Sequence, residues 1–232
     1  MPTLMISRRA LAALLALALA GCTRPVAVQD ASGSGDGVPP APREAINPDA
    51  AKESATIVLA GGCFWCTEHV FQQVKGVTDV VSGYAGGAKE DAVYKKVSMG
   101  ETDHAEVIQV TYNPREVTLG DLLRVFFLAH DPTTLNRQGP DWGKQYRSSV
   151  FYATDEQKAA AEAYIAQLGE AKVYADPIVT ILEPLDGFYP AEEYHQDYVI
   201  RNPSDAYVVR NALPKIEKLK KHLPDLVKSE EK

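Results

Sequence analysis

The stretch "TIVLAGGCFWCTEHVFQQV", residues 56–74, fixes the local architecture from which the rest of the fold is read. "TIVLA" is a β-branched and apolar run that reads as a strand, and Gly61–Gly62 end it. From Cys63 onward the spacing turns helical, because Phe64, His69 or Val70, Phe71 and Val74 recur on one side. The chain therefore passes from strand to helix at one cysteine, Cys63, with a second, Cys66, one helical turn further in. Open N–H groups and the positive dipole end at a helix start favour an anion, so this placement predicts a lowered pKa for the Cys63 thiol. Residues i and i+3 on a helix have Cα atoms about 5 Å apart, within reach of a disulfide. Such a bridge closes too small a loop to stabilise much, so a redox pair explains the spacing better than a structural staple.

Working outward, "GVTDVVSGYAGG" (76–87) reads as a strand closing on a glycine turn, and "HAEVIQVTYNP" (104–114) as a strand stopped by Asn-Pro. "TLGDLLRVFFLAH" (118–130) is a helix with Thr118 as N-cap and Asp121 at the third helical position, followed by a long loop, "DPTTLNRQGPDWGKQ". "YRSSVFYA" (146–153) is a strand, and "TDEQKAAAEAYIAQLG" (154–169) a helix capped by Thr154 and stopped by Gly169. "PIVTILEP" (177–184) reads as a strand and "AEEYHQDYVIR" (191–201) as a helix, with helical spacing again at Ile216, Leu219 and Leu223. Strands and helices mixed through short links predict an α+β fold, a two-layer α/β sandwich around a mixed sheet with a ferredoxin-like core.

Glu106 stands out on the strand 104–114. By period-two alternation it shares a face with Ile108, Val110 and Tyr112. Either that face is buried, and the desolvated carboxyl stays protonated near neutral pH, or the strand is an edge and Glu106 reaches water. Position alone leaves both readings open. Tyrosines recur in "AVYKKV" (Tyr94), "GKQYRSS" (Tyr146) and "EEYHQDYV" (Tyr194, Tyr198), and composition does not separate them. A metal reading would add His69 to the cysteines as C-x2-C-x2-H. No second cluster supplies the four ligands of a structural zinc, so His69 reads as a helix-face histidine and no metal is expected.

The N-terminus is set apart. Arg8 and Arg9 precede the apolar run "ALAALLALALA", too short for a resident membrane span, which makes residues 1–21 a secretory signal. "LAGC", Leu19 to Cys22, resembles a bacterial lipobox with Cys22 as the acylated residue; an ordinary signal peptide beside a chance cysteine is the alternative. "SRR" leaves a twin-arginine export route open beside the general one. Residues 22–54 are rich in Gly, Pro, Ser and Ala and read as a lipid-anchored flexible tether spanning roughly 30 Å, with one domain over 55–232. Thr23 is not the Asp of inner-membrane retention, which points to a periplasm-facing domain on the outer membrane. The formal charge of −7 becomes −9 once the two leader arginines are gone, and without a basic stripe this argues against nucleic acid as a partner. With Cys22 lipidated, Cys63 and Cys66 are the only thiols left.

Five ordered blocks, "GGCFWC", "SGYAGG", "HAEV", "HDPTTLNRQGPDWGKQYRS" and "EEYHQDY", together resemble the A-type peptide methionine sulfoxide reductases, over about Thr56 to Pro203. The resemblance implies reduction of methionine S-sulfoxide, free or in proteins. Cys63 attacks the sulfoxide sulfur, Phe64 and Trp65 wall the substrate's methyl group, and protonated Glu106 donates to the oxygen beside the hydroxyls of Tyr94 and Tyr146. Asp141 and Tyr198 line the same site. The resulting sulfenic acid is resolved by a second thiol. Many relatives have Gly where Cys66 stands and carry resolving cysteines in a Gly-rich tail. The present tail has none, which leaves Cys66 for that role. No cofactor is implied, the reductant is a thioredoxin-like dithiol protein, and a monomer is expected. Two other readings compete: a general dithiol–disulfide oxidoreductase, which would place Trp before the first cysteine, and a lipid-tethered binding module without catalysis.

Overall fold

The computed structural model describes residues 37–43 and 46–229. Its centre is a six-stranded sheet built from β1 (Ala55–Gly61), β2 (Val77–Ala85), β3 (Ala105–Tyr112), β6 (Ser148–Tyr152), β7 (Ile181–Pro184) and β8 (Phe188–Pro190). The strand order is β7-β6-β1-β3-β2-β8. Only the β6–β7 pair is parallel. A two-stranded ribbon, β4 (Arg137–Gln138) and β5 (Asp141–Trp142), stands apart. Helix α1 (Phe64–Gln72) links β1 to β2, and α3 (Leu119–Ala129) lies between β3 and β6. The inner order β6-β1-β3-β2 with these two crossovers is the split βαβ arrangement, so the α+β expectation holds.

Alternation along the strands decides which face meets the helices. Ile57, Leu59, Ile108, Val110 and Tyr112 share one core with Phe64, Val70 and Phe71 of α1 and the buried face of α3. Helix α4 (Asp155–Glu170) and helix α6 (Leu213–His222) complete that layer with Tyr164, Leu168, Ile216 and Leu219. The opposite face holds a smaller cluster, Val58, Ala60, Ala85, Ala105, Val107 and Phe151, covered by Leu185 and Phe188. Strand β3 therefore runs buried on both faces, which removes the edge-strand reading of Glu106.

Thr118 caps α3 as expected, in a reciprocal box with Asp121. Thr154 caps α4, which runs on to Glu170, one residue past the expected stop. Other segments differ from expectation. The strand expected over 177–184 is confined to Ile181–Pro184. The helix expected over 191–201 is broken: a 3-10 turn, Glu193–His195, precedes the short α5 (Tyr198–Arg201). Asp197 between them adopts φ 54°, a left-handed conformation no helix interior holds. Gln196 side-chain bonds to the backbone of Ser82 at 2.9 and 3.0 Å tie the segment to β2 instead.

Within the expected flexible tether 22–54, the residues described pack on the domain. Arg124 donates to Pro39 O (2.9 Å), Tyr164 to Pro40 O (2.7 Å) and Gln167 to Ala41 O (2.7 Å). The Tyr112 hydroxyl donates to buried Asp49 at 3.1 Å. Pro39, Pro40 and Ala41 offer bare carbonyls to polar groups on α3 and α4, a use that composition does not reveal. The expected signal peptide over 1–21 and Cys22, the expected lipidation site, lie outside the described residues.

Candidate active site

The β1–α1 junction is built around Gly62, which adopts φ +90°. A Cβ there would also sit 2.6 Å from Gln138 Cβ, so the close seating of the β4–β5 ribbon on this turn requires glycine. The ribbon thereby brings Asp141 toward Cys63. Cys63 is the N-cap of α1 and Cys66 the third helical residue. That is the spacing of a capping box, which turns the two side chains toward each other. Both are free thiols, buried, and hydrogen-bonded together.

The pKa of Cys63 departs from the sequence expectation. Burial pushes its thiol well up, and the neighbouring Cys66 and Glu106 add to the shift. Cys66 moves down, held by the hydrogen bond from Cys63, with Lys215 contributing a positive charge. Burial outweighs the helix-start argument, and the first open N–H of α1 is in any case directed at another group: Phe64 N donates to Glu106 Oε2 at 3.1 Å. Two buried sulfurs share what remains, and the dithiol gives up its first proton as a unit.

Glu106 is 2% exposed, and burial pushes its pKa up to about 8 despite the Phe64 bond. At neutral pH it is mostly a neutral acid. Tyr94 opens the short helix α2 (Tyr94–Ser98), its backbone N–H held by Glu192 at 3.0 Å. Burial, then Glu106 and Cys63, push the Tyr94 hydroxyl up to about 12. Tyr146 ends a 3-10 turn, and burial followed by Glu106, Asp141, Cys63 and Tyr94 raises it further. Both phenols therefore stay protonated, and both feel the charge of Glu106 and Cys63. Trp65 stacks on Tyr198 at 3.8 Å and 9°, and Phe64 lies against Tyr94 at 6.4 Å. Cys63, Cys66 and Asp141 line one cavity, Glu106 bonds the residue after Cys63, Trp65 carries Tyr198 and Phe64 lies against Tyr94, while Tyr146 is linked to them only through the charges of Glu106, Asp141 and Cys63. His69 instead meets Gln72 on the helix surface, as a helix-face histidine does.

Three further residues were not singled out from sequence. Tyr207 donates to Asp141 Oδ2 at 2.6 Å and hydrogen-bonds the cysteine pair. Burial pushes Asp141 above the ordinary carboxylate range. Glu192 accepts from Tyr84 (2.8 Å) as well as Tyr94, and His195 accepts from Trp65. Two of these stood in the quoted "EEYHQDY", but nothing in its spacing marked them; Tyr207 had no local signal.

A cavity of about 310 Å³ opens on the dithiol, lined by Cys63, Cys66, Gln138, Asp141, Tyr207 and Lys215 among others. A larger cleft of about 450 Å³ lies beyond α1 around Glu68, Gln72 and Asp197 and contains no sulfur. Size does not mark the chemistry here. Glu68, buried and pushed up to about 7 by that burial, accepts from Asp197 N at 3.1 Å and so supports the turn that delivers Tyr198. Among the described residues no group of three or more His, Cys, Asp or Glu is placed to hold a metal ion.

A buried vicinal dithiol beside a neutral carboxylic acid defines a thiol-based oxidoreductase. The family described as peptide methionine sulfoxide reductase matches residues 55–226. Peptide methionine sulfoxide reductase MsrA 2 of Mesorhizobium japonicum is 55% identical over 178 residues, 76% of this chain and 91% of the relative. The Natronomonas pharaonis MsrA is 53% identical over 176 residues, 76% of this chain and 99% of the relative. Among solved structures, Mxr1 of Saccharomyces cerevisiae in reduced form superposes with TM-score 0.59 at 41% identity, covering 66% of this chain and 87% of that one. Methionine sulfoxide reductase A of Corynebacterium diphtheriae gives TM-score 0.57 at 32% identity, covering 71% and 82%. The chain belongs to the peptide methionine sulfoxide reductase family, A type, and its activity is thiol-dependent reduction of methionine sulfoxide.

Proposed function

We propose that Cys63 is the nucleophile and Cys66 the resolving thiol in reduction of the S epimer of methionine sulfoxide, free or within polypeptides. The observation that carries this reading is the burial of Glu106 as a neutral acid, bonded to the residue next to Cys63. In the first step the Cys63 proton passes along the hydrogen bond to Cys66, and Cys63 sulfur, now thiolate, attacks the sulfoxide sulfur. Glu106 delivers a proton to the oxygen, with Tyr94 and Tyr146 hydrogen-bonding it. The substrate S–O bond breaks, the released hydroxide adds to the Cys63 sulfur as the new S–S bond to the substrate breaks, and methionine leaves with Cys63 as a sulfenic acid. Cys66 then attacks that sulfur, expelling water and closing the Cys63–Cys66 disulfide. A thioredoxin-like dithiol exchanges with this disulfide and restores both thiols. Phe64 and Trp65 form the apolar wall against the substrate's methyl group, and Asp141 and Tyr198 line the approach. No cofactor takes part, and one chain supplies every group, so a monomer suffices.

Turnover of the two separated epimers with DTT tests this directly. The S epimer is expected to be reduced and the R epimer left untouched; equal rates would remove the stereochemical assignment. A plain disulfide substrate reduced faster than the sulfoxide would favour the general oxidoreductase instead.

The leader features extend the proposal to location. Arg8–Arg9, the apolar run and "LAGC" support an exported lipoprotein anchored through Cys22 and facing the periplasm, on the outer membrane. Cys22→Ala should release a soluble protein with undiminished activity. Mature protein whose Cys22 carries no lipid by mass spectrometry would count against the anchor.

A further inference from the structure

His195 carries out none of the steps above, yet it holds the indole that walls the site. Trp65 Nε1–H donates to His195 Nδ1 at 3.0 Å. The histidine is 1% exposed, its ring packed against Phe64, Tyr94 and Tyr194 at centroid distances of 5.0, 4.2 and 4.1 Å. Because Nδ1 accepts, the single proton of the neutral ring resides on Nε2. Glu192 Oε2 lies 3.9 Å from that nitrogen and favours a proton there. The same carboxylate group fixes the Tyr94 backbone and the Tyr84 hydroxyl. Burial keeps His195 below its ordinary range against the pull of Glu192, so the neutral ring is the working form.

The other contacts of Trp65 leave one freedom open. Tyr198 stacks flat on the indole at 3.8 Å, and Tyr207 meets it edge-on at 5.9 Å and 83°. Stacking fixes the plane of a ring but resists sliding or turning within that plane only weakly. A directional hydrogen bond at the rim removes that freedom.

We infer that His195 is a positioning residue: as the Nε2–H tautomer it pins the Trp65 indole and so sets the width of the wall that receives the substrate's S-methyl group. This rests on the reading of Trp65 as that wall, and the test separates the two ideas. In a Trp142→Phe background Trp65 is the sole indole, since the sequence has two tryptophans. His195→Leu leaves the indole N–H without an acceptor, whereas His195→Asn returns a carbonyl oxygen close to the Nδ1 position.

The leucine change should raise KM for methionine S-sulfoxide about tenfold with a smaller effect on kcat, the loss expected when a buried donor is orphaned. It should also narrow the preference for methionine over ethionine sulfoxide and shift the indole N–H proton resonance. The asparagine change should bring KM and the preference to within about threefold of the parent. A general packing role would make the two variants alike, and that result overturns the inference, as does a folded leucine variant with unchanged KM and preference. Should His195→Leu not fold, His195→Gln, whose amide reaches the Nε2 position instead, gives the same contrast with asparagine. Trp65→Phe is measured alongside. Unchanged KM and preference there would sink the wall itself, while a loss in Trp65→Phe without one in His195→Leu would sink only the role of His195.

Discussion

Replacing Cys63 with serine is expected to abolish methionine sulfoxide reduction, while Cys66→Ser retains one round of it. A serine hydroxyl is a far weaker nucleophile than a thiolate toward sulfur, and Cys66 cannot stand in. Its side chain is 2% exposed, among Val199, Val208 and Ala212, and it stands one turn away from the N–H that seats Glu106. In Cys66→Ser the chemical step is intact, so about one methionine per enzyme should appear before the enzyme stalls as the Cys63 sulfenic acid. Steady turnover with a thioredoxin-like donor should then be lost. Normal cycling of Cys66→Ser with that donor would reassign the resolving role, because it would mean the donor reduces Cys63 without an internal disulfide.

Glu106→Gln should slow the chemical step by about 10²–10⁴-fold with little change in substrate affinity. Sulfoxide oxygen leaves only if protonated as the S–O bond breaks, and glutamine keeps the shape and the Phe64 bond but has no acidic proton. The pH profile carries the sign. Glu106 is raised to about 8, so it is protonated and competent below that value and loses its proton above it. Parent activity should therefore fall as pH rises through about 8, a limb absent from the glutamine variant. At lower pH both should decline alike, as the dithiol becomes fully protonated. Tyr94→Phe and Tyr146→Phe should each cost less, since either phenol partly covers for the other. A glutamine variant with the parent's rate and profile would move the proton donor to a tyrosine or to water.

What could be read from sequence was what neighbouring residues decide. The β1–α1 turn follows from an apolar run, two glycines and a change of period, and the Thr118 box from a four-residue pattern. Most candidate residues came from recognisable blocks, Tyr94 alone lying outside them, and Cys63, Cys66 and Asp141 meet at one cavity. What escaped was held from a distance. Helix α2 is five residues long, and its first N–H is fixed by Glu192, 98 positions later. The β4–β5 ribbon, two residues to a strand, sat within an apparent loop. Tyr207 precedes a π-helical stretch, Val208–Ala212, and reaches Asp141 across 66 positions, so no local period could mark it. The sign of the Cys63 shift failed for the same reason. The helix-end argument is local, whereas burial and the competing carboxyl come from β3 and from the packing of the whole domain.

The central claim, a Cys63 sulfenic acid resolved by Cys66, is tested most directly by a quenched single turnover. Fully reduced enzyme is mixed with one equivalent of methionine S-sulfoxide and no reductant, then alkylated and mapped by mass spectrometry. The account predicts one methionine per enzyme, loss of both alkylatable thiols, and a peptide linked through Cys63 and Cys66. Methionine formed while Cys66 remains a free, alkylatable thiol would contradict it.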